Sequence, residues 1–565
     1  MSEARLTGLL ISDFTADNLR AVLARDEAEP AVELRSAPFA SVVPTLAADG
    51  GAWEGAEFAV VWTRPEEVVP SFGQVLRFQE VEEARITAEV DAFADLLLQA
   101  AGRVRFTLVP AWVKRRSHRG LGLLELGHPR GVTRTLDRMN ARLAERLDGS
   151  SVHLLDARPW FEAAGAGGHD PRLWYMAKNP YGPRVYLEAA TDLKAALRAL
   201  TGRARKLVVV DLDDTMWGGI LGEVGWQGLK LGGHDPIGEA HAEFQRALKA
   251  LTHRGVILAL ASKNDEATAL EAIRSHPEMV LRLEDFAGWR INWEDKARNI
   301  ADLVASLNLG LDAAVFLDDN PAERGRVREA LPQVMVPEWP TSPLLYASTL
   351  ESLPWFDTAQ LSMEDAERAR LYSAERERSQ LRDSLGSLDS WLRTLEIRIQ
   401  VEPLNDANRQ RAAQLLNKTN QMNLSTRRLT EAELVEWASA EGNRFWTFRM
   451  SDRFSDSGLT GLLGVTLEDD GATLRIVDWV LSCRVMGRRM EETMLHVAVE
   501  HARALGADRV VAEHRPTERN RPCLEFWQTK SGFDASGEGH TFLWEVEKAY
   551  PAPAAVTLEQ EVAVP

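Results

Sequence analysis

What most limits the fold of this chain is a regular alternation of apolar strands and helices that begins at residue 206. The stretch 206–212, KLVVVDL, reads as a strand rich in β-branched residues. Helix 236–253, strand 255–262, a helix starting near Asp265, helix 295–307 and strand 312–319 follow with short connections. That order predicts a doubly wound, mostly parallel sheet in a unit reaching about residue 340. Ligand sites in such sheets lie outside the carboxyl ends of the strands, and this sequence concentrates its reactive side chains there. Asp211, Asp213, Asp214 and Thr215 end the first strand, and Ser262, Lys263 and Asn264 end the second. Lys296 comes just after Asn292, Trp293, Glu294 and Asp295, while Asp318, Asp319 and Asn320 end the last strand. Alternation brings Asp211 and Asp213 close together and leaves Leu212 to the core. Two such carboxylates repel unless a cation or a shared proton relieves them, and magnesium with oxygen ligands suits them. One motif alone could be a surface turn or a helix cap. Four in order supply a nucleophile, metal ligands, a phosphate-binding hydroxyl and a balancing cation, which is the inventory of phosphoryl transfer.

The flanks read differently. Residues 1–200 alternate strand pieces such as FAVVW (58–62), VRFTLVPAWV (104–113) and SVHLLDA (151–157) with helical patterns at 89–102 and 131–147, an α/β pattern. A Glu/Arg-rich stretch near 361–390 predicts an exposed connecting helix within a connector at 351–394. Residues 395–550 read as α+β, with strands at 395–404, 445–451, 461–468, 473–482 and 509–515 and a helix at 488–505. The Pro/Ala-rich end, 551–565, reads as a flexible tail. Between strand 473–482 and its helix lie Ser482, Cys483, Arg484, Val485, Met486, Gly487, Arg488 and Arg489. Glycine and arginine before a helix N-terminus make a place for an anion, and arginines beside a thiol favour its ionised, nucleophilic form. A structural cysteine beside a solvated basic turn accounts for the same residues. Cys523 and His514 read as structural. The carboxamide-rich Asn417, Asn420, Gln421 and Asn423, and the turn at Asp452, Arg453, Phe454, Ser455 and Asp456, could contact substrate or simply form Asx turns.

Composition sets outer bounds. A chain of 565 residues with 45% apolar and 27% charged residues is ordinary for a soluble protein of three or four folding units. Its net charge of −18 argues against an extended nucleic-acid groove. No window is apolar enough for a membrane span, and the start, MSEARLTGLLISDF, does not read as a signal peptide, so a cytoplasmic location is the default. Two cysteines cannot make a disulfide scaffold.

The strings DLDDTMWGGILGEVG (211–225), LALASKND (258–265), RINWEDKARNI (290–300) and FLDDNPAER (316–324) resemble the motifs of haloacid dehalogenase (HAD) phosphatases. The closer resemblance is to the FkbH-like subfamily, which loads glyceryl units onto acyl carrier proteins in polyketide pathways. It implies a Rossmann-like domain with a minimal cap over 201–350, with Asp211 as nucleophile and Asp213 as general acid/base. Ser262, Lys296 and Thr215 would contact phosphate, and Asp211, Asp213, Asp318 and Asp319 would bind Mg2+. DWVLSCRVMGRRMEE (478–492) is similar to the C-terminal region of the same proteins, and residues 484–490 to the anion loop of the N-acetyltransferase (GNAT) fold. This implies Cys483 as acyl acceptor, with Arg484, Gly487, Arg488 and Arg489 holding the phosphopantetheine arm. Residues 1–200 are distantly similar to SGNH-type hydrolases, although 170–173 read DPRL and lack the histidine of the DxxH pair, so scaffolding or carrier docking is expected there. The implied activity is transfer of a glyceryl group from 1,3-bisphosphoglycerate through a cysteine thioester to an acyl carrier protein, with Mg-dependent dephosphorylation. The alternatives are a HAD phosphatase fused to an acyl-CoA-dependent acyltransferase, and a carrier-binding scaffold.

Overall fold

The computed structural model describes residues 5–358, 378, 387–536 and 539–560. Most of the connecting helix expected at 361–390 therefore lies outside the described residues; helix Leu388–Thr394 starts at its own Ser387 cap. The chain divides into two compact units, Met1–Leu200 and Thr201–Pro565.

The first unit is an α/β layer. Strands β1 (Leu6–Ser12), β2 (Val32–Ser36), β3 (Phe58–Trp62), β4 (Phe106–Pro110) and β5 (Val152–Leu155) form one sheet in the order β2-β1-β3-β4-β5, every pairing parallel. Leu9, Ile11, Ala59 and Val61 enter one core and Leu10, Val60 and Leu108 the other, so the sheet is covered on both faces.

The second unit opens with β6 (Leu207–Val210), β7 (Ile257–Ser262), β8 (Phe286–Ile291) and β9 (Ala314–Leu317), parallel in the order β8-β7-β6-β9. Period-two alternation explains its apolar strands. Val208, Val210, Leu258 and Leu260 face one layer of helices, and Leu207, Val209, Ile257 and Ala259 face the other. Between β6 and helix Pro236–His253 there are only the four-residue helix Leu221–Val224 and the turn Trp226–Gly228.

The same unit continues into a largely antiparallel sheet. Its strands are β10 (Ile397–Pro403), β11 (Asn443–Ser451), β12 (Asp456–Leu467), β13 (Thr473–Leu481), β14 (Arg509–Glu513), β15 (Asp534–Ser536), β16 (Thr541–Glu545) and β17 (Val556–Gln560). The order is β15-β16-β14-β13-β12-β11-β10-β17, with β13–β14 and β10–β17 the parallel pairs. Helix Met490–Leu505 covers one face, and helices Arg409–Lys418 and Glu431–Ser439 cover the other. The expected flexible tail is corrected over 556–560. These residues alternate Val556, Leu558 and polar positions, pair along β10, and set Val556 and Leu558 against the core. The 551–555 stretch carries no strand. No helix among the described residues is long and apolar enough to cross a membrane.

Candidate functional site

The strand ends of the four-stranded sheet converge on a cluster of charge. Each contributing loop is fixed by a helix cap next to the residue it presents. Asp265 accepts from Thr268 N–H just after Ser262 and Asn264. Asp295 accepts from Arg298 N–H and makes Lys296 the first residue of helix Lys296–Ser306. Asn320 accepts from Ala322 N–H, with Pro321 beginning the helix immediately after Asp318 and Asp319. The chain after β6 turns on Leu212 O, which accepts from the N–H of Thr215 and of Met216, and Asp214 takes φ 52° in that turn.

At the centre, Asp211, Asp318 and Asp319 each offer a carboxylate oxygen, and these atoms lie within 4.8 Å of one another. Lys296 Nζ stands 3.0 Å from Asp211 Oδ2 and 2.6 Å from Asp318 Oδ2, and all three side chains are buried. Burial opposes the lysine's charge, yet Asp211 and Asp318 hold its ammonium above the ordinary lysine range. Burial, then the neighbouring Asp211 charge, raises Asp318 and Asp319 above the usual carboxylate range. One ammonium among three carboxylates leaves an excess of two negative charges when all are ionised. Asp211 Oδ1 is buried with no hydrogen-bond partner among the described residues. An all-oxygen cluster with that excess fits a small divalent cation such as Mg2+.

Asp213 stands outside this group. Its carboxylate accepts from Trp217 Nε1 at 2.9 Å, Leu221 N at 3.2 Å and Asn264 Nδ2 at 3.1 Å. Burial raises it above the usual range, against the pull of those bonds. A carboxyl held in place by three donors and raised above its usual range suits an acid/base, and Asp213, expected among the metal ligands, lies outside the group of carboxylates that converge. The Thr215 hydroxyl, expected to meet phosphate, is spent on Asp319: it accepts from Asp319 N at 3.0 Å and donates to Asp319 Oδ1 at 3.1 Å. Ser262 Oγ is buried and accepts from Asn264 Nδ2 at 3.3 Å. Sequence reasoning gave no role to Arg324, whose guanidinium donates to the carbonyls of Asp318 and Asp319 at 2.7 and 2.6 Å. It likewise gave none to Asn264 or Trp217, which orient Asp213. Arg324 and Trp217 were legible only as members of motif strings, because it is the turns after β9 and β6 that fold them back onto Asp318, Asp319 and Asp213.

The second cluster is more closed than its sequence suggests. Cys483 is partly exposed, outside any disulfide, and opens a short turn directly after β13. Gly487 takes φ 74° and donates its N–H to Glu491 Oε1 at 2.7 Å, so the amide expected to greet an anion already serves the chain's own carboxylate. Arg488 is buried, 3.3 Å from Asp452 Oδ2, and also donates to Arg484 O. Arg489 donates to Glu492 Oε1 at 2.9 Å, and Arg484 Nε to Ser482 Oγ at 3.2 Å. Asp452 is a packing hub, bound by Arg378 at 2.7 and 2.8 Å as well. Strands β13 and β14 pair only from Thr473↔Arg509 to Ile476↔Ala512. Past that point the chain's own residues 422–425 fill the gap. Leu481 N donates to Met422 O, Leu424 N to Trp479 O, and Arg515 N to Leu424 O. The carboxamides of Asn417, Asn420 and Asn423 bond to the carbonyls of Leu429, Gly202 and Thr419. Cys523 is fully buried in the sheet's core, and His514 is buried against His540.

In the first unit, Ser12 Oγ accepts from Phe14 N, Asp13 is bound by Arg64 at 2.6 Å, and Asp170 caps helix Pro171–Ala177. His169 is stacked on Phe161, with burial pushing its ring down to about 4. The residues a serine hydrolase would use are committed to other contacts.

No family model matches the chain, and no curated protein matches it. Among solved structures it is similar to the N-terminal part of the protein BF1531 from Bacteroides fragilis, which contains a phosphatase domain and was solved complexed with Mg. That match is 26% identical, covers 63% of this chain and 95% of the other, and has a TM-score of 0.57. A spermidine N-acetyltransferase SpeG mutant from Vibrio cholerae matches 27% of this chain and 95% of its own at 13% identity, with a TM-score of 0.21, a likeness too slight for inference. The chain is thus a multidomain protein with a HAD-like phosphatase domain.

Proposed function

We propose that the chain is a magnesium-dependent phosphatase of HAD type joined to an acyl-transferring C-terminal region. The observation that carries the first half is the convergence of Asp211, Asp318 and Asp319 around Lys296, with Asp211 Oδ1 left without a protein partner. The likeness to a phosphatase-containing structure complexed with Mg supports it. Asp211, Asp318 and Asp319 would hold the ion, which supplies positive charge against the phosphoryl oxygens. Asp211 attacks phosphorus, the bond to the leaving alcohol breaks, and Asp213 gives that alcohol its proton, leaving an aspartyl-phosphate. Asp213, now a carboxylate, takes a proton from water as the water attacks, and phosphate leaves with Asp211 restored. Lys296 and Ser262 hold the phosphoryl group, while Asn264 and Trp217 keep Asp213 aimed.

For the second half, an acyl-CoA-dependent acyltransferase is the better supported reading, because it asks only for a GNAT-like fold. The narrower reading is glyceryl transfer from 1,3-bisphosphoglycerate through Cys483 to the phosphopantetheine of an acyl carrier protein. One observation favours it: the Gly487 amide and the β13 edge are already taken by the chain itself, while Cys483 reaches solvent. There the thiolate would attack the acyl-phosphate carbonyl and expel phosphate, and Asp211 would then remove the remaining phosphomonoester. Intact mass after brief exposure to 1,3-bisphosphoglycerate and magnesium, or to acetyl-CoA, separates the two. A glyceryl or phosphoglyceryl adduct on wild type that Cys483→Ala lacks supports the thioester route. Phosphate release without an adduct, with acetyl-CoA bound equally by both forms, excludes it. Asp211→Asn should lower hydrolysis of a simple phosphomonoester by about a thousandfold or more in either case.

A further inference from the structure

Between β4 and helix Val132–Leu147 of the first unit runs a loop, 111–131, whose three-residue turn Gly122–Leu124 is its sole regular element. Its folding is organised around one carboxylate. Glu125 is buried and accepts from Leu121 N at 2.6 Å, Thr133 N and Thr133 Oγ1 at 2.7 Å each, and Lys114 Nζ at 3.2 Å. A Cβ on Gly120 would fall 1.8 Å from Glu125 Oε2, and one on Gly131 would fall 1.7 Å from Glu125 O, so the chain closes on this residue at both sides. His118 adds a second tie, with Nε2 3.0 Å from Leu76 O and Nδ1 accepting from Gly120 N.

So tethered, the loop holds apolar side chains out in water. Leu123 is 100% exposed, Leu124 56% and Leu126 69%. Each forgoes stabilisation that burial would give, and a fixed backbone denies them the collapse that a slack loop allows. The loop also carries five basic residues against the single acid Glu125, in a chain of net charge −18. Arg116, Arg119 and Arg130 are exposed and make no ion pair among the described residues, whereas Arg115 is paired with Glu66. A strongly acidic protein would be repelled by most of this molecule, and this loop is a place where the sign reverses. Its exposed bases are arginines, the cation enriched at protein interfaces. It has no exposed tryptophan or tyrosine of the kind that anchors at membrane surfaces.

We propose that loop 111–131 is a docking surface for a small acidic protein with an apolar face, the three leucines entering that face and the arginines meeting its carboxylates. Naming that partner as an acyl carrier protein rests on the functional reading above. The test is titration of full-length protein with purified holo acyl carrier protein at two salt concentrations, using wild type, Leu123→Ser/Leu126→Ser and Arg116→Glu/Arg119→Glu. All altered side chains are exposed, and thermal melting confirms the fold. Binding should weaken about tenfold in each double variant and fall with salt for wild type, while hydrolysis of a small phosphomonoester stays unchanged. Equal binding by all three forms overturns the docking surface and leaves the carrier-dependent function standing. Binding by none of them overturns both. Loop-dependent capture by phosphatidylserine vesicles instead of the carrier also overturns it, in favour of a membrane.

Discussion

Lys296 is the residue on which the charge balance of the phosphoryl site turns. Replacing it by methionine leaves buried carboxylates facing one another, so Lys296→Met should lose about 3–5 kcal/mol of stability in magnesium-free buffer. Magnesium should restore more of the melting temperature in the variant than it adds to wild type, which thermal unfolding with and without the ion will show. Glu491 makes a pH argument. Burial raises its carboxyl from an ordinary 4.5 to about 7. Between those values the folded chain keeps a proton that the unfolded chain has released, so this group makes stability fall as pH rises from 4.5 to 7, and then level off. Glu491→Gln keeps an oxygen for Gly487 N–H and removes the buried charge. Its unfolding free energy should match wild type near about pH 4.5 and exceed it at about pH 8 by an amount on the order of 3 kcal/mol, read from denaturant unfolding at the two pH values. Residue identities were legible in the sequence where chemistry demands them, as at Asp211, Lys296 and Asp318. Their neighbours were less so: the Thr215 hydroxyl serves Asp319 and Arg324 grips two carbonyls, which are partnerships made by turns rather than by spacing along the chain.

At the scale of elements, β6, β7 and β9 were readable because their runs are almost wholly apolar, and the helices announce themselves by Asp265, Asp295 and Asn320 caps, whereas β8 went unread because Gly288 and Arg290 interrupt its apolar run. The last sheet was readable less fully. Its strands alternate, but the insertion of 422–425 beside β13 has no local signature; it follows from the early parting of β13 and β14. Asn423 holds that seam. It is fully buried, its Nδ2 donates to Thr419 O, its Oδ1 accepts from Thr426 N, and its carbonyl accepts from Asn520 Nδ2. Asn423→Ala would strand the Thr426 N–H, leaving Thr419 O to Arg428 alone, and should destabilise the protein by about 2 kcal/mol. Hydrogen exchange at Leu424, Leu481 and Arg515 should accelerate together in that variant, and unchanged exchange at all three would contradict the role assigned to the seam.

For the whole molecule, the division at Leu200 separates a unit without a carboxylate–lysine cluster of this kind, among the described residues, from one that holds every proposed phosphoryl-handling group. Residues 201–565 alone should therefore retain magnesium-dependent hydrolysis of a small phosphomonoester within about threefold of the full chain, since that segment carries every group the chemistry uses. Loss of that activity in a folded fragment would tie the first unit to the chemistry. The sheet edge gives a further consequence, one of timing. During synthesis β10 emerges with its outer row of amides and carbonyls bare, and the strand that covers them, β17, is made only after the rest of that sheet. Until then the nascent protein carries an open strand edge of the kind that recruits other chains.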